Sequence, residues 1–597
     1  MSKKNIKFMC TAFRDGFQSV YGARVLTKDF LPAVEAARDA GINWFEAGGG
    51  ARFQALYFYC NEDAFAMMDA FRNAAGKDAE LQTLSRGINV VGLESQSSDV
   101  IKMHADLFHK HGISAMRNFD ALNDINNIRY SAQCIKDAGL KHQVSISMMG
   151  LPPSCSGAHD PDFYEKTLKN ILDAEIPFDS VCFKDASGTA LPKTIFETVK
   201  RARNLLGNDV MIHYHTHESS GMAMLAYMAA IEAGANAVDL SLSPLSGGSC
   251  QPDIATLWNA LRGTDFSLDI DIQKVLKAEE VLNDCMAKYF FPPEAMRVEP
   301  NMPWSPLPGG ALTANTQMLR DNGMMDKFHD ISVAMGDVVK KGGFGTSVTP
   351  VSQFYFQQAF NNVIFGEWQK IADGFGKMVL GYFGKTPVEP DAEIVKIAAE
   401  QLKLEPTTKT PLEINDADET KGLDAARKLL EEASLPITDE NLFIVATCKD
   451  KGITYLKGEA KVMVRYKEKE SAACSSDIKT ISINNQNYCV KFVQDGVAEV
   501  NGKTYNFDIQ DGKKETVSSS KPTASAGGAS IVSPMPGTMW KILLKAGDAV
   551  KAGDVIMILE SMKMEIEIKA TVDGTISKIM VSESQHITTG QELAKIG

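Results

Sequence analysis

Eight times between residue 5 and about residue 310, a short apolar run gives way to a longer stretch with helical spacing. The runs are IKFMCTA, NWFEAG, LQTLSR, SAMRNF, QVSISMM, SVCFKD, VMIHYH and AVDLSLS, and segments such as LPAVEAARDAG and GMAMLAYMAAIEAG lie between them. Strands that alternate with helices pair in parallel and carry the helices on the outside. Eight such units predict an α/β chain whose residues 1–310 close into a (β/α)8 TIM barrel. A doubly wound open sheet is the alternative, but no Gly-rich dinucleotide turn follows the first run.

The pattern changes after the barrel. Residues 311–470 read as mostly helical, with GLDAARKLLEEAS as the clearest case and the polar, Pro-containing LEPTTKTPLEINDADETKG as a loop. Residues 471–512 form a β-rich connecting segment, as in TISINNQNYCVKFV and KTYNFDI. Residues 513–529 fall in KKETVSSSKPTASAGGAS, a small-residue linker. A flexible coil of ~16 residues has an r.m.s. span of roughly 20–24 Å, which suits a tether.

The remaining residues, 530–597, contain an internal repeat. Gly537-Thr538 and Lys541-Ile542 recur as Gly574-Thr575 and Lys578-Ile579, and Gly553 recurs as Gly590, each 37 residues on. The midpoint of the repeat falls at Lys563, in ILESMKMEIEI, between two strand-like runs. A symmetric β domain would hold this lysine at a hairpin tip, where its amine is open to acylation. An exposed lysine on a small β-sandwich is the plainer reading, and the repeat, the flanking methionines and the linker argue against it.

The net charge of -13 and pI near 5.4 leave no basic face for nucleic acid and no attraction to an anionic membrane. Ten cysteines stand singly, without a CxxC pair, which indicates neither a disulfide framework nor a cysteine zinc site. The N-terminus MSKKNIKFMC lacks an apolar stretch behind its lysines, and no run approaches the ~18 apolar residues of a membrane span. A reducing cytoplasm is expected.

Three strand ends carry chemistry: TAFRDGFQS, CFKDASG and HYHTHESSG. Strand C-termini converge on one face of a barrel, so these segments meet there. Asp15 offers a carboxylate, and His215 and His217, two apart on a strand, point the same way. One carboxylate and two imidazoles suit a divalent metal, zinc or manganese, with positions left for substrate. Lys184 is the odd neighbour, since an ammonium has no lone pair to give; by itself it reads as an ion-pair partner of Asp185.

The C-terminal segment, with Met562-Lys563-Met564 at its symmetry point, resembles biotin carboxyl carrier domains rather than lipoyl domains, which flank the lysine with an acidic residue and an alanine. From about residue 6 to 470 the chain resembles the carboxyltransferase family of pyruvate carboxylase and the oxaloacetate decarboxylase α chain. FEAGGGARF (45–53), LSRGIN (84–89), LSGGSCQP (245–252), LPGGALTAN (307–315) and VTPVSQ (348–353) carry that resemblance. It implies biotin on Lys563, an N-carboxylated Lys184 that joins Asp15, His215 and His217 on the metal, and a pocket lined by Arg14 and Gln18. It also implies that Arg86 holds a keto acid, that Thr349 shuttles a proton, and that Ser352 and Gln353 touch the biotin ring. The sequence departs from the family pattern at Cys10, Gly16, Phe17, Arg52, Gln54 and Ala186, where Phe17 stands for a histidine and Ala186 for a methionine.

The expected function is biotin-dependent carboxyl transfer to a small 2-keto acid, pyruvate first, as in the B subunit of a two-subunit pyruvate carboxylase. No ATP-grasp domain or phosphate loop precedes the barrel, so a separate biotin carboxylase is an expected partner. Others are a biotin protein ligase for Lys563 and a second copy of the chain through the carboxyltransferase part. The alternatives are the α chain of a sodium-pumping oxaloacetate decarboxylase, with membrane subunits, and a 2-oxoglutarate carboxylase large subunit. Arg14-Asp15-Gly16 also resembles the barrels of 3-hydroxy-3-methylglutaryl-CoA lyase and isopropylmalate synthase, which lack the lysine ligand and the biotin domain. A biotinylated scaffold with an inert barrel is a different class, and the intact ligand set argues against it.

Overall fold

The computed structural model of the chain describes residues 3–153, 155–467, 478–483, 486–494, 497–500, 503–506, 529–561 and 564–597. It divides into two units, Met1–Tyr466 and Lys467–Gly597.

In the first unit each of the eight apolar runs becomes a strand: β1 Lys7–Cys10, β2 Trp44–Glu46, β3 Glu80–Ser85, β4 Ala115–Phe119, β5 Lys141–Met148, β6 Ser180–Asp185, β7 Met211–Thr216 and β8 Ala237–Leu240. They pair in sequence order into a closed barrel. The last joint sets Lys7 opposite Ala237 and Cys10 opposite Leu240, in parallel. Closure buries both faces of each strand, which is why β6 is buried along its whole length although only half its residues are apolar.

Side chains two apart share a face of a strand, so the barrel interior is filled in layers. The fill is largely polar. Near the N-terminal end Trp44 Nε1 donates to Gln82 Oε1 (3.2 Å), Gln82 Nε2 to Gln143 Oε1 (2.9 Å), and Gln143 Nε2 to Ser180 Oγ (3.1 Å). Above them Arg117 Nε donates to Gln143 Oε1 at 2.6 Å, and its guanidinium pairs with Asp239. Both partners are fully buried, and an isolated charge at such depth is costly. The pairing is mutual: burial opposes both charges, yet Asp239 raises the guanidinium above its usual range and Arg117 holds the carboxyl well below its own.

After the barrel come α1 Gly309–Asp321, α2 Phe328–Lys341 and α3 Val351–Phe365. The stretch read as a loop over LEPTTKTPLEINDADETKG contains a further helix, α4 Pro411–Asp416. Its start is a reciprocal cap: the Glu413 N–H donates to Thr410 Oγ1 (3.3 Å) and the Thr410 N–H to Glu413 Oε2 (2.8 Å), with Pro411 in the first turn. The last helix, α5 Asp439–Leu456, returns to the barrel wall. There Phe443 packs edge-on against Phe53, 5.5 Å between centroids, and stacks on His104 at 5.7 Å.

The second unit holds an antiparallel meander of Ile478–Ile483, Gln486–Gln494, Val497–Val500 and Lys503–Asn506, and two further four-stranded sheets. The strands of those sheets are β9 Ala529–Val532, β10 Gly537–Ile542, β11 Ala549–Val550, β12 Val555–Ser561, β13 Met564–Lys569, β14 Gly574–Ile579, β15 His586–Ile587 and β16 Glu592–Ile596. One sheet has the order β9-β16-β14-β11 and the other β13-β12-β10-β15. A shift by one repeat exchanges the two sheets strand for strand, so the repeat seen in the sequence is a twofold of the fold. Ser561 pairs with Met564 across the β12–β13 hairpin, and Lys563, the expected attachment point, lies outside the described residues with Met562. Among the described residues no helix is long and apolar enough to cross a membrane.

The barrel's buried charges make a stability test. Arg117→Met leaves Asp239 without its guanidinium and should cost about 3–5 kcal/mol, read by chemical denaturation of the purified protein. A loss below about 1 kcal/mol would show that the histidines alone satisfy Asp239.

Candidate metal centre and substrate pocket

The centre assembles at the C-terminal end of the strands. The chain leaves β1 through a wide helical turn, Ala12–Gly16, which buries Asp15. His215 stands near the end of β7 and His217 just beyond it, both buried. One ligand atom from each of Asp15, His215 and His217 lies within 4.8 Å of the other two. From Asp15 Oδ2, His217 Nε2 is 3.4 Å away and His215 Nε2 3.6 Å.

Each imidazole is fixed from behind. His215 Nδ1 meets Asp239 Oδ2 at 2.5 Å, and His217 Nδ1 meets the Ser249 carbonyl at 2.6 Å. Both partners are acceptors, so Nδ1 carries the proton in each ring and the Nε2 lone pair faces the centre. Burial, then the Lys184 amine, holds His215 well below the usual histidine range, which keeps that lone pair free. Burial alone would raise the Asp15 carboxyl; Arg14 first, then His217 and Lys184, hold it well below its ordinary value. One carboxylate and two imidazoles whose Nε2 atoms face it suit a divalent cation.

Lys184 joins this group from β6. Its Nζ lies 2.7 Å from His215 Nε2 and 4.0 Å from Asp15 Oδ2, with Asp185 turned away to cap the Ser187, Gly188 and Ala190 N–H groups. The plain reading of Lys184 as an Asp185 partner is therefore replaced by a place at the centre. Burial lowers the pKa of the amine, against the pull of Asp15.

A pocket opens beside the centre. Its polar lining is Arg14, Asp15, Gln18, Arg86, Lys184, His217 and Thr349, and its apolar wall is Leu84, Phe119, Ala186, Pro308, Ala311 and Val348. Arg14 pairs with Glu46 and, at 3.3 Å, with Asp15, and donates to Gln18 Oε1 at 3.2 Å. Arg86 donates to the carbonyls of Val91 (2.7 Å) and Gly92 (3.0 Å), and its Nε has no hydrogen-bond partner. Burial, and then Arg14, push this guanidinium down to about 9. Ser352 and Gln353 lie outside the lining, in the first turn of α3; Ser352 is buried and its hydroxyl unpartnered.

The start of α1 roofs the pocket through Gly310, and Gly309 beside it has no room for a side chain. A Cβ on Gly309 would lie 1.7 Å from the Ser249 carbonyl oxygen, and one on Gly310 3.0 Å from Gln18. Of the positions that depart from the family pattern, Ala186 alone lines the pocket. Phe17 instead packs on Phe30 (5.1 Å between centroids), and the Arg52 guanidinium lies 5.5 Å from both rings and donates to the Ala23 carbonyl.

Sequence reasoning passed over Glu46, Arg117, His213, Asp239, Ser249 and Gln251. For Glu46, Arg117, His213 and Asp239 the signal was a polar residue inside a strand that closure buries on both faces, as in NWFEAG, SAMRNF and AVDLSLS, or a third histidine in HYHTH; Ser249 and Gln251, beyond the last strand, carried none.

Three family models match the chain: the conserved carboxylase domain over 303–518, the biotin-requiring enzyme domain over 529–596 and HMGL-like over 110–282. Fold and site thus define a biotin-dependent carboxyltransferase, with biotin as its covalent cofactor. The chain is 31% identical to the pyruvate carboxylase B subunit of Methanocaldococcus jannaschii over 569 residues, 94% of each chain, and belongs to that family. It is 29% identical to the 2-oxoglutarate carboxylase large subunit of Hydrogenobacter thermophilus, over 93% of this chain and 89% of that one. The carboxyl transferase domain of Rhizobium etli pyruvate carboxylase, solved with pyruvate and biocytin, shares the fold, with a TM-score of 0.70 over 85% of this chain and 89% of that one at 22% identity.

Asp239 orients His215 without facing the pocket. Asp239→Asn should lower affinity for zinc or manganese by about 10–100-fold in a chelator competition run on folded protein, beside the stability lost with the Arg117 pairing. Unchanged affinity would show that the Asp239 contact is not needed to orient His215.

Proposed function

We propose that the chain transfers a carboxyl group between carboxybiotin on Lys563 and pyruvate, giving oxaloacetate, and that Asp15, His215, His217 and an N-carboxylated Lys184 hold one zinc or manganese ion. The observation that supports pyruvate is a charge count. Among the described residues that line the pocket, Arg14 is matched by Glu46 and Asp15 and Lys184 stands beside Asp15, whereas Arg86 has only carbonyls. One unmatched guanidinium fits one carboxylate. A second carboxylate, as on 2-oxoglutarate, would face Leu84, Phe119, Ala186 and Val348 without a cation and would be expensive to desolvate.

A divalent cation in the centre would act as a Lewis acid on the keto acid's carbonyl. The chain's own groups do the rest. Arg86 binds the carboxylate and, with Arg14 and Gln18, fixes the keto acid against the apolar wall. Once the carboxyl group has left carboxybiotin as CO2, the Thr349 hydroxyl in the pocket lining takes a proton from the substrate methyl group and passes it to the freed biotin ureido nitrogen, and the resulting enolate carbon attacks that CO2. Arg86 steadies the enolate oxygen. Ser352 and Gln353 serve the biotin ring from the first turn of α3. A separate biotin carboxylase subunit loads the carrier and a biotin protein ligase modifies Lys563. The enzyme works in the cytoplasm as a homo-oligomer joined through the carboxyltransferase part.

Two measurements test this. Thr349→Ala should cut biotin-dependent oxaloacetate decarboxylation at least about a hundredfold, while Thr349→Ser keeps much of it and both bind metal normally. Near-normal turnover in the alanine variant would move the relay elsewhere, and turnover on the 2-oxoglutarate product but not on oxaloacetate would move the substrate. Separately, Lys563→Arg should abolish avidin binding and leave the fold intact; labelling that persists would relocate the attachment point.

A further inference from the structure

Gln251 stands inside the centre. It follows β8, is fully buried, and its Nε2 lies 3.1 Å from Asp15 Oδ2 and 3.0 Å from His217 Nε2. A carboxylate oxygen accepts, and His217, whose Nδ1 meets the Ser249 carbonyl, presents its Nε2 lone pair, so the two N–H groups of the amide satisfy one each. Lys184 Nζ does the same for His215 Nε2 at 2.7 Å. Every lone pair that would face a cation is thus covered by an N–H donor. That arrangement suits a metal-free site and repels a metal, because a donor hydrogen aimed at a cation is unfavourable.

The far side of the amide shows that it can turn. Gln251 Oε1 faces Thr11 Oγ1 at 2.6 Å, and the same hydroxyl also reaches the Leu240 carbonyl at 3.0 Å. A hydroxyl has one proton, so those two acceptors compete for it. After a half-turn of the carboxamide, Thr11 donates to Leu240 and accepts from the Gln251 N–H; that competition ends, and Oε1 gives up its 3.2 Å contact with the Cys250 thiol. The oxygen then faces Asp15 and His217.

We propose that Gln251 is a metal-responsive member of the centre: its amide nitrogen holds Asp15 and His217 in place without a metal, and its amide oxygen turns inward as an additional ligand when a cation binds. The inference rests on the metal reading above. It makes Gln251 and Lys184 a pair of placeholders. Lys184 leaves the role of donor by gaining a carboxyl group, and Gln251 by rotating.

The test compares Gln251→Glu with Gln251→Leu in the full chain, by chelator competition for Zn2+ and by the visible spectrum of the Co2+ form. Wild type must first bind about one metal per chain, and failure there would overturn the metal reading itself. Glutamate has oxygen in either orientation and no N–H. An oxygen ligand predicts that Gln251→Glu binds Zn2+ at least about tenfold more tightly, while Gln251→Leu binds about 10–100-fold more weakly. Loss of a donor should also strengthen and shift the Co2+ bands of the leucine variant. With the chelator in excess, the glutamate variant should melt below wild type, because its carboxylate then opposes Asp15. Weaker Zn2+ binding by Gln251→Glu, or a Co2+ spectrum unchanged in Gln251→Leu, would overturn the inference. If neither variant folds, wild-type crystals soaked with Zn2+ decide: a carboxamide oxygen at about 2.0–2.2 Å supports it and a carboxamide beyond 3 Å refutes it.

Discussion

A charge buried inside a closed barrel needs a partner, and Asp239 is the one that serves both the barrel interior and the centre above it. Its carboxylate meets the Arg117 guanidinium, His213 Nε2 at 2.7 Å and His215 Nδ1 at 2.5 Å. The first contact belongs to the barrel's interior and the last to the metal centre. One buried residue therefore couples the stability of the scaffold to the tautomer of a ligand. An apolar core would pack as well, but it could not tell His215 which nitrogen to protonate.

The same logic runs upward. Glu46 neutralises Arg14, Arg14 with His217 and Lys184 keeps Asp15 ionised, and Asp15 faces both imidazoles. Burial pushes Glu46 the other way, toward protonation, and Arg14 opposes it. Arg86 is outside this chain of pairs. Its only described hydrogen bonds go to carbonyls of its own loop, which position a cation without neutralising it. That difference separates the paired residues of the centre from the one lining guanidinium, among the described residues, that meets only carbonyls.

The fold was more legible than the site. Eight alternations of strand and helix need only local patterning, and the carrier's symmetry needs only a repeat, so both can be read along the chain. Asp15, His215 and His217 were also readable, because barrel closure brings strand ends together whatever the loops do. Arg86 and Thr349 came only from resemblance: an arginine after a strand and a threonine before a helix have ordinary structural uses. Arg117, Asp239 and Gln251 were missed because each acts through a partner more than 100 residues away. For Arg117 and Asp239 a polar side chain in a strand buried on both faces was the available warning; Gln251 lies in the loop after β8 and offered none. The short helix α4 was missed for a local reason, since Thr410-Pro411-Leu412-Glu413 is a capping signal inside a stretch that otherwise reads as polar loop.

The departures from the family pattern follow from packing. Phe17 and Arg52 touch: the guanidinium lies over the ring and over Phe30, and neither residue lines the pocket. Arg52 still carries a buried charge, which burial pushes below its ordinary value, and it finds a carbonyl at Ala23 and the aromatic faces instead of a carboxylate. That swap remodels the wall behind the turn bearing Asp15 while leaving Arg14, Asp15 and Gln18 where the pocket needs them. Ala186 differs, because it is part of the lining between Lys184 and His217. A small apolar side chain there adds no charge, so among the described lining residues Arg86 stays the cation that meets only carbonyls.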